Sequence, residues 1–165
     1  MKRLLFTGLA LVVLALPLAG QPKFGVTVTA DKTTDFKKIK TYVWQTGWDS
    51  PDKKVHAAIV GAIDRELKAL GLEVKASGPS DVIVKYAALR RIDVQISSKA
   101  TGTDAPRGQV DVASLLVTML EPGTGKELLH ARLDKPVDVD PTKMDATINA
   151  LVAEVFAQYP TRVKK

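Results

Sequence analysis

The chain of 165 residues has no cysteine, two histidines and only 5% aromatic side chains. Without cysteine there can be no disulfide, thiol nucleophile or thiolate metal centre. The same absence excludes a thioether-linked lipid. Residues 16–21 read "LPLAGQ", the kind of ending that precedes a lipidated cysteine in exported proteins, but Gln21 stands at that position. His56 and His130 are far apart in the chain and belong to no H-x-x-x-H or similar pattern, so no metal is expected. Basic runs are not interleaved with aromatics, which argues against nucleic acid as a partner.

The one long apolar run is at the N-terminus. Lys2 and Arg3 precede Leu4–Leu18, which is almost wholly apolar. A basic start, a short apolar centre and small residues at the end read as a secretory signal over residues 1–20. Cleavage after Ala15 leaves Val13 three residues before the cut and fits better than cleavage after Gly20, which leaves bulky Leu18 there. The expected location is extracytoplasmic, periplasmic or secreted; the alternative is an uncleaved N-terminal segment acting as a tether. Setting Lys2 and Arg3 aside leaves 22 of the 24 basic side chains against 18 acidic ones. The excess is spread through "DFKKIK", "DKK", "LRR" and the terminal "VKK", as solvated surface is. Its functional reading is weak attraction to anionic lipid head groups or cell-wall polymers.

Beyond the leader the hydrophobic pattern is that of one domain, residues 24–160. Phe24, Val26 and Val28 alternate with small or polar residues, a half-buried strand, and "TYVW" at 41–44 is a second. Val55, Ile59, Ile63, Leu67 and Leu70 then form one stripe on a helix, with Ser50 and Asp52 as candidate caps and Gly71 as the stop. Val82, Val84, Tyr86, Ala88, Ile92, Val94 and Ile96 share one parity, broken only by Arg90, which predicts one bent strand or two strands split near Arg90 and Arg91. Residues 97–109, rich in Gly, Ser and Thr, read as an extended loop. Val110–Leu120 is apolar on both faces from Leu115 onward and belongs in the middle of a sheet; "EPGTGKE" turns the chain and Leu128–Leu133 returns beside it. Asp140 caps and Pro141 opens a second helix with a stripe from Met144 to Tyr159, and Pro160 ends it. The order β-β-α-β-β-β-α predicts an α+β fold: an antiparallel sheet with both helices packed on one face, the other face open.

No constellation of catalytic residues emerges. "GTGK" at 123–126 lacks the upstream glycine and the following hydroxyl of a phosphate-binding loop, since Leu120 and Glu127 stand there. Ser80 in "GPSDV" fits a turn before a strand rather than a nucleophile elbow. Asp64 and Glu66 are two apart on a helix, so their side chains diverge, and Asp140, beside Asp138, already has a capping role. Trp44, ending a strand, is expected in the core. Trp48 lies in a polar loop and, with Arg90 and Arg91, forms the candidate contact surface.

"TTDFKKIKTYVW", "AAIVGAIDRELKALGLE", "SDVIVKYAAL", "EPGTGKELLHARL" and "AEVFAQYPT" follow in one order. In that order and spacing the chain resembles the bacterial envelope family known as domain of unknown function 4136, from about Val26 to Pro160. The resemblance implies an exported α+β protein, often lipid-anchored, with no established activity, catalytic residues or cofactor. Gln21 departs from the lipidated cysteine of many members, and His130 from a tryptophan common on the late strand. The expectation is a non-enzymatic envelope protein that binds or assembles with an envelope component, whether protein, lipid or cell-wall polymer. The alternatives are a small-ligand carrier using the open sheet face with 97–109 as a lid, and a cell-wall or ester hydrolase.

Overall fold

The structure, a computed structural model, describes residues 24–96, 107–137 and 140–162. The leader, residues 97–106 of the extended loop, and Asp138 lie outside the described residues. The elements in chain order are β1 (Gly25–Ala30), β2 (Thr41–Trp44), α1 (Lys53–Ala69), β3 (Glu73–Val74), β4 (Val82–Ile96), β5 (Arg107–Leu120), β6 (Glu127–Pro136), a 3-10 turn (Pro141–Lys143) and α2 (Met144–Ala157).

The six strands form one sheet in the order β1-β6-β5-β4-β2-β3. β1, β6, β5 and β4 are joined antiparallel, so the apolar β5 sits centrally, as its two-sided pattern predicts. The fold class is the expected α+β, with a local refinement. β2 runs parallel to both β4 and β3. A helix lies between β2 and β4, and a crossover of that kind returns the chain in its original direction, which a tight hairpin cannot do. The 82–96 alternation forms a single strand paired with β5 along its length, and β5 begins at Arg107, three residues earlier than the apolar pattern alone suggests.

α1 starts at Asp52, whose carboxylate accepts from the Lys54 and Val55 amides, and its stripe buries Ile59, Ile63 and Leu67. Asp140 caps the turn before α2 by accepting from Thr142 N at 2.9 Å. Both helices pack on the face carrying Val82, Val84, Tyr86, Leu115, Val117, Met119, Leu129, Ala131 and Leu133, and these residues share one core cluster with Phe156 and Tyr159 of the C-terminal segment. Burying each such aliphatic chain contributes about 1.5–3 kcal/mol.

Candidate functional site

Side chains alternate along a strand, so the odd residues of β4 point away from that core. Register then fixes what they meet. Ala87 pairs with Leu116, Leu116 with Arg132, and Arg132 with Thr27. Next to that row, Leu89 pairs with Ser114 and Ser114 with Asp134; beyond it Arg91 pairs with Val112. On the other side Lys85, Thr118 and His130 form a row. Among the described residues no element covers this face.

Trp48 belongs to it. After β2 the chain continues beside β4: Gln45 N donates to Val84 O, Trp48 N donates to Tyr86 O at 3.1 Å, and Ala88 N donates to Trp48 O at 3.0 Å. These bonds pair Trp48 with Ala87 and extend the first row to Trp48–Ala87–Leu116–Arg132. Gly47 makes the approach feasible, because a Cβ there would sit 2.1 Å from the Tyr86 carbonyl oxygen. Trp48 is 74% exposed and Leu89 51%. A large aromatic held by backbone pairing and left in solvent is a contact side chain in form.

The polar groups beside it are tied to one another. Arg132 Nε donates to Asp134 at 2.6 Å, and Arg91 Nη1 donates to Asp134 at 2.8 Å and to Ser114 Oγ at 2.7 Å. Arg91 Nε donates to Asp93 at 2.9 Å. Hydrogen bonds, first from Arg132, hold the Asp134 carboxyl well below the usual carboxylate range. The bond to Asp93, followed by that to Asp134, raises the Arg91 guanidinium. This network holds two cations and two anions in fixed geometry.

The predicted contact residues therefore divide. Trp48 and Arg91 share the open face, whereas Arg90, one position away on β4, points to the helix side and pairs with Asp111 at 2.8 Å. Sequence reasoning did not single out Leu89, Arg132 or Asp134; the alternation of "YAALRRID" against "LLHARLD" was the signal available for them.

The remaining candidates take structural places. Asp64 accepts from Tyr42 OH at 2.5 Å and Trp44 Nε1 at 3.0 Å, which ties α1 to β2; burial, then Asp64, raises the Tyr42 hydroxyl. Glu66 turns away to Arg162 at 2.8 Å. His56 Nδ1 lies 2.6 Å from Tyr86 OH, and His130 lies 3.3 Å from Glu127, so each histidine has its own partner. Ser80 Oγ donates to Val82 O at the turn before β4. Gly123 and Gly125 take φ values of +83° and +69° in the turn between β5 and β6, a hairpin use of "GTGK". On the helix side a groove of about 1050 Å³ runs between α1 and α2, lined by Val55, Ala58, Gly61, Met144, Ile148 and Leu151 among others.

Solved structures share this fold. A PDZ domain protein from Parabacteroides distasonis superposes with a TM-score of 0.61 at 16% identity, covering 86% of this chain and 36% of that one. The present chain thus spans about a third of that protein. A point variant of PelC from Paraburkholderia phytofirmans, a dodecamer, superposes with a TM-score of 0.56 at 12% identity, covering 87% of this chain and 100% of that one. PelC in a second crystal form, also a dodecamer, gives 0.55 at 12% identity, covering 87% and 100%. Identities this low show a common fold. No curated protein matches the sequence. A family model does, over residues 26–161, and the chain belongs to the family described as Domain of unknown function (DUF4136).

Proposed function

We propose that this protein is an exported, non-enzymatic component of the bacterial envelope that acts by binding or assembly through the open face of its sheet. One observation carries the reading: Trp48, 74% exposed, is held by backbone pairing on an open face whose carboxylates and guanidiniums are bonded to one another. Such a surface is built for contact rather than chemistry, because the carboxylates and guanidiniums on it are held by one another. The leader supports export. The superposition on PelC, a protein that forms dodecamers, supports assembly as the form the binding takes.

Full-length protein is expressed in a bacterial host, the cells are fractionated, and intact masses are measured for wild type and Trp48→Ala. The expected product is a mature chain beginning between residues 16 and 21, recovered with the envelope fraction, with Trp48→Ala released from it. Turnover in a panel of cell-wall and ester hydrolase assays, abolished by a single carboxylate or serine substitution, would overturn the reading.

The groove between α1 and α2 favours a second reading, a small-ligand carrier, placed on the helix side rather than beneath the 97–109 loop. Native mass spectrometry of protein purified from its host checks it: a bound small molecule lost on Leu151→Trp supports the carrier, and a bare mass removes it.

A further inference from the structure

We propose that the open face binds a second copy of this chain, the two sheets packing face to face about a two-fold axis that crosses the strands between the Ala87 row and the Leu89 row. This deepens the reading above by naming the partner, and rests on it.

Two adjacent rows of side chains complement each other. Reading across the sheet, one holds Ala87, Leu116 and Arg132, and the next holds Leu89, Ser114 and Asp134. At every strand a small side chain neighbours a large one, or a cation neighbours an anion. A two-fold axis between the rows exchanges them. It sets Ala87 against Leu89 of the second copy, Leu116 over the position of buried Ser114, and Arg132 against Asp134. Steric and charge complementarity are thus both contained in one copy's surface.

Trp48 stands at the outer end of the first row, and the same operation brings it against the solvent flank of Leu89 in the second copy. These are two of the most exposed large apolar side chains of the described residues, so the contact removes both from water. One row farther out Lys85 meets Arg91, whose charge Asp93 and Asp134 already balance. Lys85 then has Asp93 of the second copy within its reach.

The guanidiniums and carboxylates are already partnered before the face dries. Arg91 is bonded to Asp93, Asp134 and Ser114 within its own chain. Such groups can leave solvent without losing partners, which is what a protein partner asks of an interface and what a hydrated glycan does not need. The size is also adequate. Up to five strands about 4.8 Å apart and three row intervals of about 6.7 Å bound the face at roughly 24 by 20 Å, or at most about 1,000 Å² counted over both copies. That is the scale of a small, weakly associating interface.

The absence of cysteine makes the test clean. The mature chain is examined by sedimentation from 1 to 100 µM, and single variants Ala87→Cys and Leu89→Cys are treated with a short bis-maleimide, alone and mixed. A dimer is expected, weakened at least tenfold by Leu89→Arg, with cross-links between the two different variants several-fold above those of either variant alone. A blue shift of tryptophan emission on dimerisation, lost in Trp48→Ala, is expected with it. A monomer at every concentration, a dimer indifferent to Leu89→Arg, or cross-links without preference for the mixed pair overturns the proposal. So does a monomer that binds anionic vesicles or an acidic polysaccharide through Trp48; in that case contact through the open face stands and the second copy falls. A dimer together with unchanged envelope recovery of Trp48→Ala is the converse result: the second copy stands and the envelope reading falls.

Discussion

The two faces of this sheet are made by the same strands, alternate residues at a time, and they solve opposite problems. On the helix side Val82, Val84 and Tyr86 of β4 meet Val117 and Met119 of β5, and two helices close over them. On the other side Ala87 and Leu89 meet Leu116 and Ser114, with ion pairs in place of a covering layer. Apolar content alone does not mark a core. Leu67 and Leu89 are the same residue type, but the first is fully enclosed and the second is 51% exposed. What separates them is whether another element is present to exclude water.

Truncating the two leucines should affect stability very differently. Leu67→Ala is expected to cost about 2–5 kcal/mol of stability through lost transfer energy and a cavity. Leu89→Ala should stay within about 0.5 kcal/mol in dilute protein. Urea midpoints measure both, and equal losses would mean the open face is covered. Asp64→Ala comes next. It leaves the Tyr42 hydroxyl and Trp44 indole without their shared acceptor, a loss of about 1–3 kcal/mol in the same titration.

Gly47→Ala acts where the two faces join. Its methyl group would collide with the Tyr86 carbonyl, so the 45–48 segment must lift from β4 at a cost of about 1–2 kcal/mol. Trp48 loses its place, and acrylamide quenching of its fluorescence should increase while Trp44 stays protected. The smallest effect is one of pH. The folded-state carboxyl of Asp134 titrates below its unfolded value, first because of Arg132, so its contribution is present above the ordinary carboxylate range. That contribution fades as pH falls below about 4 toward the depressed folded value. Asp134→Asn should therefore flatten the loss of thermal stability between about pH 4 and pH 2 while leaving the helix-side core unchanged.

Much of the fold was legible because periodicity is a local property. The Val55–Leu70 stripe, the Asp52 and Asp140 caps, the central place of β5 and the hairpin turn at Gly123 and Gly125 all follow from neighbours in sequence. Direction was harder. Nothing in "TYVW" says that its partner runs parallel, since pairing sense depends on what connects the strands. β3 has two exposed residues and carries no pattern at all. The site was half legible for the same reason. Trp48 and Arg91 stood out as residue types, but their row mates Leu116 and Arg132 lie on other strands and meet them only through register. Arg90 and Arg91 read as one basic patch in the sequence, and a strand places consecutive side chains on opposite faces.

The pairing of β1 with β6 has a consequence in time. Gly25 is among the first described residues to be synthesised, and its partner Asp134 follows roughly a hundred residues later. β4 and β5 can zip together as soon as both exist, but β1 must wait as an unpaired strand until nearly the whole chain is made. During that interval its Val26 and Val28 have no shelter. The described sheet is finished by the strand that was made first, a non-local pairing of the kind that forms slowly.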